Sequence, residues 1–342
     1  MSIEDYIDEV EITEEIPLSN EIRVIIPSQW RGDRLDKSLA ACMPQYSRSK
    51  LQSWIEAKLV RYLDGKFAQI KDQITGEQIL LVTIPEDPQN KAFEPENIPL
   101  EIIYSDESIA LINKSAGMVV HPAAGNWSGT LLNALLYHFP ECDQVPRAGI
   151  VHRLDKDTSG LMVVARTAIA QTALVRQLQA HLVNRHYLAL VWGAAPPLGK
   201  IATPIARDTR DRLRMAVVNK DQGKAALTHF RRLAQGVFMG KPVSLLECRL
   251  ETGRTHQIRV HLESIGLPLL GDPIYRKQVP HFAKELAFHR QALHAFALGL
   301  QHPQTEQLCN WYQAPPSDFM ALLQLVQIDA SALPTDASGS LS

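Results

Sequence analysis

The sequence predicts a mixed α+β fold in two parts, a small basic module followed by a larger domain. Three observations predict it. Helical periodicity runs into a hairpin signal between residues 21 and 85. A proline-punctuated stretch then separates that module from the rest. Beyond residue 100, strands rich in Ile, Val and Leu alternate with helices too few and too short for βαβ repetition. At 342 residues the chain exceeds one average domain, so a large domain plus a smaller one is the natural division.

Residues 1–20 carry seven acids (Glu4, Asp5, Asp8, Glu9, Glu11, Glu14, Glu15) and no Lys or Arg. Their few apolar side chains cannot offset the entropy of ordering, so a disordered acidic tail is expected there. From Arg34 the pattern changes: Leu35, Leu39 and Cys42 recur at helical spacing, and Pro44 stops that helix. Ser47 can cap a second helix whose apolar face is Leu51, Trp54, Ile55 and Leu59. Val60 to Leu63 is a short extended piece that meets Asp64-Gly65, a hairpin turn signal. Pro85, Pro88, Pro95 and Pro99 mark a linker over residues 86–99. The larger domain is expected over residues 100–328, and the Ala-, Ser-, Pro- and Asp-rich residues 329–342 should fray.

The formal net charge of −2 hides an asymmetry. Without the acidic tail the body holds 35 basic against 30 acidic residues, a net +5. Between Ser28 and Lys66 eight basic residues face four acids, enough to attract a phosphate backbone if they share a face; on charge alone, a solvated surface fits equally well. Cys42, Cys142, Cys248 and Cys309 are scattered and make no CxxC pair, which points to reduced, buried thiols in a cytoplasmic protein. No signal peptide, no run of membrane-spanning length, no Gly-rich phosphate loop and no HExxH or paired-cysteine pattern is present. Chemistry without a cofactor or metal is the expectation.

Ala148 to Val151 reads as a buried strand delivering the polar run His152-Arg153-Leu154-Asp155-Lys156-Asp157-Thr158-Ser159-Gly160, after which Leu161 to Ala165 resumes an apolar strand. A turn held between two core strands is a rigid platform for reactive groups. Taken alone it is also an ordinary turn: Asp157, Thr158 and Ser159 are turn-formers, and Arg153 can pair Asp155 structurally. A kinase catalytic loop does not fit, because Leu154 interrupts His-Arg-Asp and both the Gly-rich loop and Asp-Phe-Gly are missing.

The whole run resembles the His-Arg-Leu-Asp-x-x-Thr-Ser-Gly signature of the RluA family of pseudouridine synthases, and the likeness continues along the chain. Asn113 to Pro122 is similar to the family's entry strand, with Ser115 where Pro is usual. Arg185-His186-Tyr187-Leu188-Ala189-Leu190-Val191 is similar to its tyrosine strand, Glu251 to His261 to its arginine motif, and Arg290 to Ala295 to its late strand. Residues 21–85 resemble the S4 RNA-binding domain, with Arg48, Lys50, Lys58, Arg61 and Lys66 supplying charge. The resemblance implies a mainly antiparallel catalytic sheet of pseudouridine synthase type, no cofactor, and an RNA partner. The Lys156–Ala165 continuation and the Gln171–Leu178 helix are most similar to members acting on 23S rRNA of the large ribosomal subunit, at the loop of helix sixty-nine. A monomer is expected.

The reaction so implied breaks the N-glycosidic bond, turns the uracil and joins its C5 to the same ribose carbon. Aspartate side chains, with a pKa of about 3.9, are already anions near neutrality and need no partner base. Hydrolytic glycosidases use two carboxylates; an isomerase that excludes water needs one, and Asp155 is the candidate. Asp157 is given a turn role instead. By resemblance, Arg254 lies against Asp155, at a strand end before a helix that Thr255 can cap, and keeps it ionised. Tyr187 shares a strand face with Ala189 and Val191; read alone it is core, and by resemblance it stacks on the uracil. Extruding a base costs a few kcal/mol; Arg153 is the family's candidate for filling the vacated space. His152 either contacts the RNA backbone or supports the turn.

Overall fold

The chain divides into two units, residues 1–87 and 88–342. The computed structural model describes residues 20–85, 92–123 and 125–335. The acidic tail before residue 20, residues 86–91 of the expected linker and residues 336–342 lie outside that description.

In the first unit the elements run β1 (Glu21–Ile26), α1 (Leu35–Cys42), α2 (Arg48–Glu56), β2 (Val60–Tyr62) and β3 (Gln78–Thr83). The strands form an antiparallel sheet in the order β1-β3-β2. Ser47 caps α2 as its position predicted, its Oγ accepting from Lys50 N at 3.3 Å. Leu35, Leu39, Leu51, Trp54 and Ile55 pack on Ile26, Leu80 and Val82; each such buried side chain contributes roughly 1.5–3 kcal/mol. The Asp64-Gly65 turn closes with Gly65 N donating to Tyr62 O at 3.0 Å, and Gly65 at φ +84° supplies the left-handed residue the turn requires.

The second unit contains β4 (Glu101–Ser105), β5 (Ile109–Lys114), α3 (Leu131–His138), β6 (Ser159–Ala165), α4 (Ala168–Gln179), β7 (Asn184–Trp192), β8 (Leu198–Ile201), β9 (Ile205–Arg207), β10 (Met215–Val217), β11 (Thr228–Phe238), β12 (Lys241–Leu250), α5 (Gln257–Ser264), β13 (Leu293–Gln301), β14 (Leu308–Tyr312) and α6 (Ser317–Leu325). Among the described residues nine strands make one sheet in the order β4-β5-β6-β13-β7-β12-β11-β8, with β14 on β13. Of its pairings only β13 with β6 is parallel, so the fold is mixed α+β and mainly antiparallel, as expected. Period-2 alternation sends Tyr187, Ala189 and Val191 into one core and Leu188, Leu190 and Trp192 into the other.

Three local expectations are corrected. Ala148 to Val151 is not a strand: a 3-10 turn covers Pro146–Gly149, Arg147 and Ala148 have φ of 57° and 50°, and pairing is limited to one bridge between Ile150 and Val164. Gly149, at φ +75°, approaches Ala165 so closely that a Cβ would meet the Ala165 carbonyl. Residues 92–99 are a strap on α3: Asn133 Nδ2 donates to Glu94 O at 2.9 Å and Glu96 Oε1 accepts from Gly129 N at 2.8 Å. Residues 329–335 do not fray. They form a 3-10 turn capped by Asp329, and Ala332 and Leu333 pack on the core.

Candidate active site

The loop carrying Asp155 leads directly into β6 and is fastened from several sides. Lys114, fully buried at the end of β5, donates its ammonium to the carbonyls of Ser115 (2.8 Å), Met118 (3.0 Å) and Lys156 (2.9 Å). His152 Nε2 accepts from Val163 N at 3.1 Å, and loss of solvation pushes its pKa down to about 3, so the ring is a neutral acceptor that supports the turn. At the far end Gln291 Nε2 donates to Thr158 Oγ1 (3.1 Å) and Arg290 Nη1 to Asp157 O (3.2 Å). His294 Nε2 faces the Gln313 carbonyl at 3.0 Å and so carries the hydrogen; its Nδ1 accepts from Ser159 Oγ at 2.9 Å. Gly160, at φ +117°, leaves no room for a Cβ against the Ala295 backbone.

Asp155 Oδ2 accepts from Arg259 Nη1 at 3.1 Å. The same guanidinium uses Nε and Nη2 on Asp272, at 2.7 and 2.9 Å, and stands 5.0 Å from the Tyr275 ring centre. Two carboxylates thus share one Arg259, whose side chain is 4% exposed, and they hold its pKa well above the usual value against the opposing effect of burial. Arg254 does not make this contact. It lines the same cleft, but its Nε donates to Ala225 O at 3.0 Å, and its backbone N donates to Gln257 Oε1 at 3.0 Å. Nor does Thr255 cap α5. His256 occupies that position in the left-handed region, and the Gln257 side chain ties back the preceding turn through Arg254 N and Thr252 Oγ1.

The cleft around these groups encloses about 930 Å³ and is lined by Asp155, Tyr187, Arg153, Arg254, His256 and Arg259 among others. The Tyr187 phenol is held above its ordinary pKa, chiefly by burial, with Arg185 pulling it down and Asp155 pushing it up. Arg185 enters the same cleft two residues earlier on β7, donating from Nη2 to Glu251 O at 3.2 Å; its Nε is buried without a partner, and Gly253 leaves room for its Nη1. Sequence reasoning missed both Arg185 and Arg259, although period 2 places Arg185 on the Tyr187 face. Arg153 is exposed at the cleft, and Arg147 is also exposed there.

In the first unit, the expected RNA-binding charges are partly committed elsewhere. Arg48 donates to the fully buried Asp36 at 2.8 and 3.0 Å, and Arg61 pairs with Glu21 at 3.0 Å. Lys50 stands over the Tyr46 and Trp54 rings and Lys58 over Phe67, while Lys66 follows the hairpin turn. Among the described residues no cluster of His, Cys, Asp and Glu suits a metal, and no helix is long and apolar enough to cross a membrane. Cys142 and Cys248 are buried thiols; Cys42 and Cys309 are only half-buried.

A family model described as RNA pseudouridylate synthase matches residues 108–264, which contain the Asp155 loop, β7 and α5. The chain is 46% identical to the ribosomal large subunit pseudouridine synthase D of Neisseria meningitidis serogroup B, over 95% of this chain and 87% of that protein. It is 49% identical to the synthase D of Nitrosomonas europaea, over 90% of this chain and 88% of the relative. The chain belongs to the RNA pseudouridylate synthase family. This RNA pseudouridine synthase also matches the solved human RNA Pseudouridylate Synthase Domain Containing 1, with 27% identity, a TM-score of 0.52, and coverage of 71% of this chain and 89% of that one. The synthase is therefore an isomerase that converts uridine in RNA to pseudouridine.

Proposed function

We propose that this isomerase acts on uridines of 23S rRNA, in the loop of helix sixty-nine, with Asp155 as its catalytic carboxylate. The rRNA target is supported by relatives at 46–49% identity whose names specify the large ribosomal subunit; the site within it follows from the sequence resemblance. One observation carries the catalytic assignment: Asp155 stands in the cleft with the buried Arg259 guanidinium 3.1 Å from its carboxylate.

The N1–C1′ bond breaks, the uracil turns, and a C5–C1′ bond forms while C5 loses its proton and N1 gains one. Attack on C1′, addition to C6 and abstraction of a ribose proton all need an anion at this place. Arg259 aims the Asp155 carboxylate through a charge-assisted hydrogen bond. Tyr187 stacks on the extruded uracil and remains a phenol able to move a proton. Arg153 fills the space the base leaves, at a cost offset by its contacts with the RNA. Arg254 serves the RNA from the cleft wall rather than the carboxylate. The first unit is an S4-like grip on structured RNA, and the synthase acts as a monomer in the cytoplasm.

The test is release of tritium from C5-labelled uridine in rRNA by the intact protein and by Asp155→Asn. Loss of release in the variant is expected; a variant as active as the parent overturns the assignment. Mapping pseudouridines in a deletion strain addresses the target, and a loss confined to tRNA overturns the rRNA reading.

A further inference from the structure

His256 adopts φ 56° and ψ 22°, just ahead of α5. A residue with a Cβ pays about 1–2 kcal/mol for that left-handed conformation, and such strain beside a reacting group invites a functional explanation. The ring is fixed through Tyr275, which is fully buried. Tyr275 Oη accepts from Met215 N at 2.8 Å and lies 3.0 Å from His256 Nδ1. An amide only donates, so the phenolic hydrogen needs an acceptor of its own, and leaving it unpaired in the interior costs about 1–3 kcal/mol. His256 Nδ1 is that acceptor. Burial holds the imidazole below its ordinary pKa, so the ring is neutral and its one hydrogen sits on Nε2.

Nε2 faces Asp155 Oδ2 across 4.0 Å. That is too long for a direct hydrogen bond. It is the spacing at which one oxygen lies about 2.8 Å from both atoms, with an angle of about 90° between the two contacts. The oxygen must accept from an N–H and donate to an acceptor-only carboxylate; a water molecule can do this, and of the groups a nucleotide brings a hydroxyl can. A ribose offers such a group at its 2′ position, and a deoxyribose does not.

We propose that His256 Nε2–H and Asp155 Oδ2 together hold the 2′-hydroxyl of the target ribose, which makes His256 the residue through which the cleft distinguishes RNA from DNA at the reacting nucleotide. This rests on the reading of Asp155 as the carboxylate at that ribose.

The experiment uses the full-length protein and two RNA oligonucleotides that differ at the target nucleotide alone, uridine or 2′-deoxyuridine. His256→Asn keeps a side chain that tolerates the left-handed backbone but shortens the donor out of reach. The parent should prefer the ribo-oligonucleotide strongly in kcat/KM, and in the variant that preference should shrink by at least about tenfold, the worth of a hydrogen bond to a group of this kind. Tyr275→Phe, which releases the tautomer, should shrink it by a smaller factor. Should His256→Asn turn over too slowly to assay, competition of the two oligonucleotides for binding to it reads the same ratio. Equal preference in parent and variant, within about twofold, overturns the proposal. If Asp155→Asn were also fully active, it is the assignment of Asp155 that has failed; if that variant is dead and the preferences are equal, only the role of His256 has.

Discussion

Replacing Arg259 with Met separates what holds the site from what serves the reaction. The guanidinium is 4% exposed and is shared by Asp155 and Asp272, whose side chains are 18% and 0% exposed. Deleting it leaves Asp272 charged in the interior, with the Ile274 and Tyr275 amides, 2.8 and 3.0 Å from Oδ1, as its remaining donors. Breaking a buried pair from one side costs about 3–5 kcal/mol. That is a large part of a typical stability of 5–15 kcal/mol. Adding Asp272→Asn removes the stranded charge while its amide oxygen still accepts from those two backbone groups, so urea unfolding should recover most of the loss. Activity should not return, because Asp155 still lacks its partner. One hydrogen bond to a charged group is worth about 1.5–3 kcal/mol, or about ten- to a hundredfold in kcat/KM by tritium release. A double variant that regains activity along with stability would refute a role for Arg259 in the chemistry.

Protonation of His152 should erode stability in acid. Its folded pKa of about 3 lies below the unfolded value, so the native state binds fewer protons between pH 6.5 and 3; stability is full above that window and falls as the pH drops through it, by about 2 kcal/mol at pH 5. His152→Gln should lose that much less between pH 7 and 5 in urea titrations, and parallel curves for the two proteins contradict the assignment. Lys114→Met removes three hydrogen bonds from the loop around Asp155 and should cost about 3 kcal/mol, with kcat falling more than KM rises; an unchanged kcat means that the loop is held without it. In the first unit, Lys50, Lys58 and Lys66 changed together to Gln should make the salt dependence of rRNA binding shallower by about 2 in log–log slope, at about 0.7 per phosphate contact. Arg48→Ala should instead lower the melting temperature, since Arg48 serves the buried Asp36.

Much of this was legible in residue order. Leu35, Leu39 and Cys42, then Ser47 and the Leu51–Trp54–Ile55 face, located two helices, because spacing and capping act locally, but α2 ends at Glu56 and leaves Leu59, expected on its face, beyond it. The Asp155 loop and the Tyr187 strand were recognisable from motif and period. The carboxylate's partner was not, since Arg254 and Arg259 lie five residues apart in one motif and the choice depends on where α5 begins. The left-handed His256 delays that start, which turns Arg259 inward. A signal was available: between Ile258, Val260 and Leu262 a charged side chain in a buried helix must be paired. The Ala148–Val151 run misled for a different reason. An apolar stretch records burial without recording backbone conformation, and here Arg147, Ala148 and Gly149 all have positive φ, which a strand does not adopt.

The guanidinium on which Asp155 depends lies 104 residues further along the chain. At about 5–20 residues per second on the ribosome, the carboxylate is made roughly 5–20 s before Arg259, and it waits longer still for β13, which fastens the base of its loop. An unfinished polypeptide therefore carries the carboxylate without the guanidinium that holds it. On the proposed assignment of Asp155, competence arrives late in synthesis, when nearly all of the sheet can close at once, and a truncated product would be inert rather than careless.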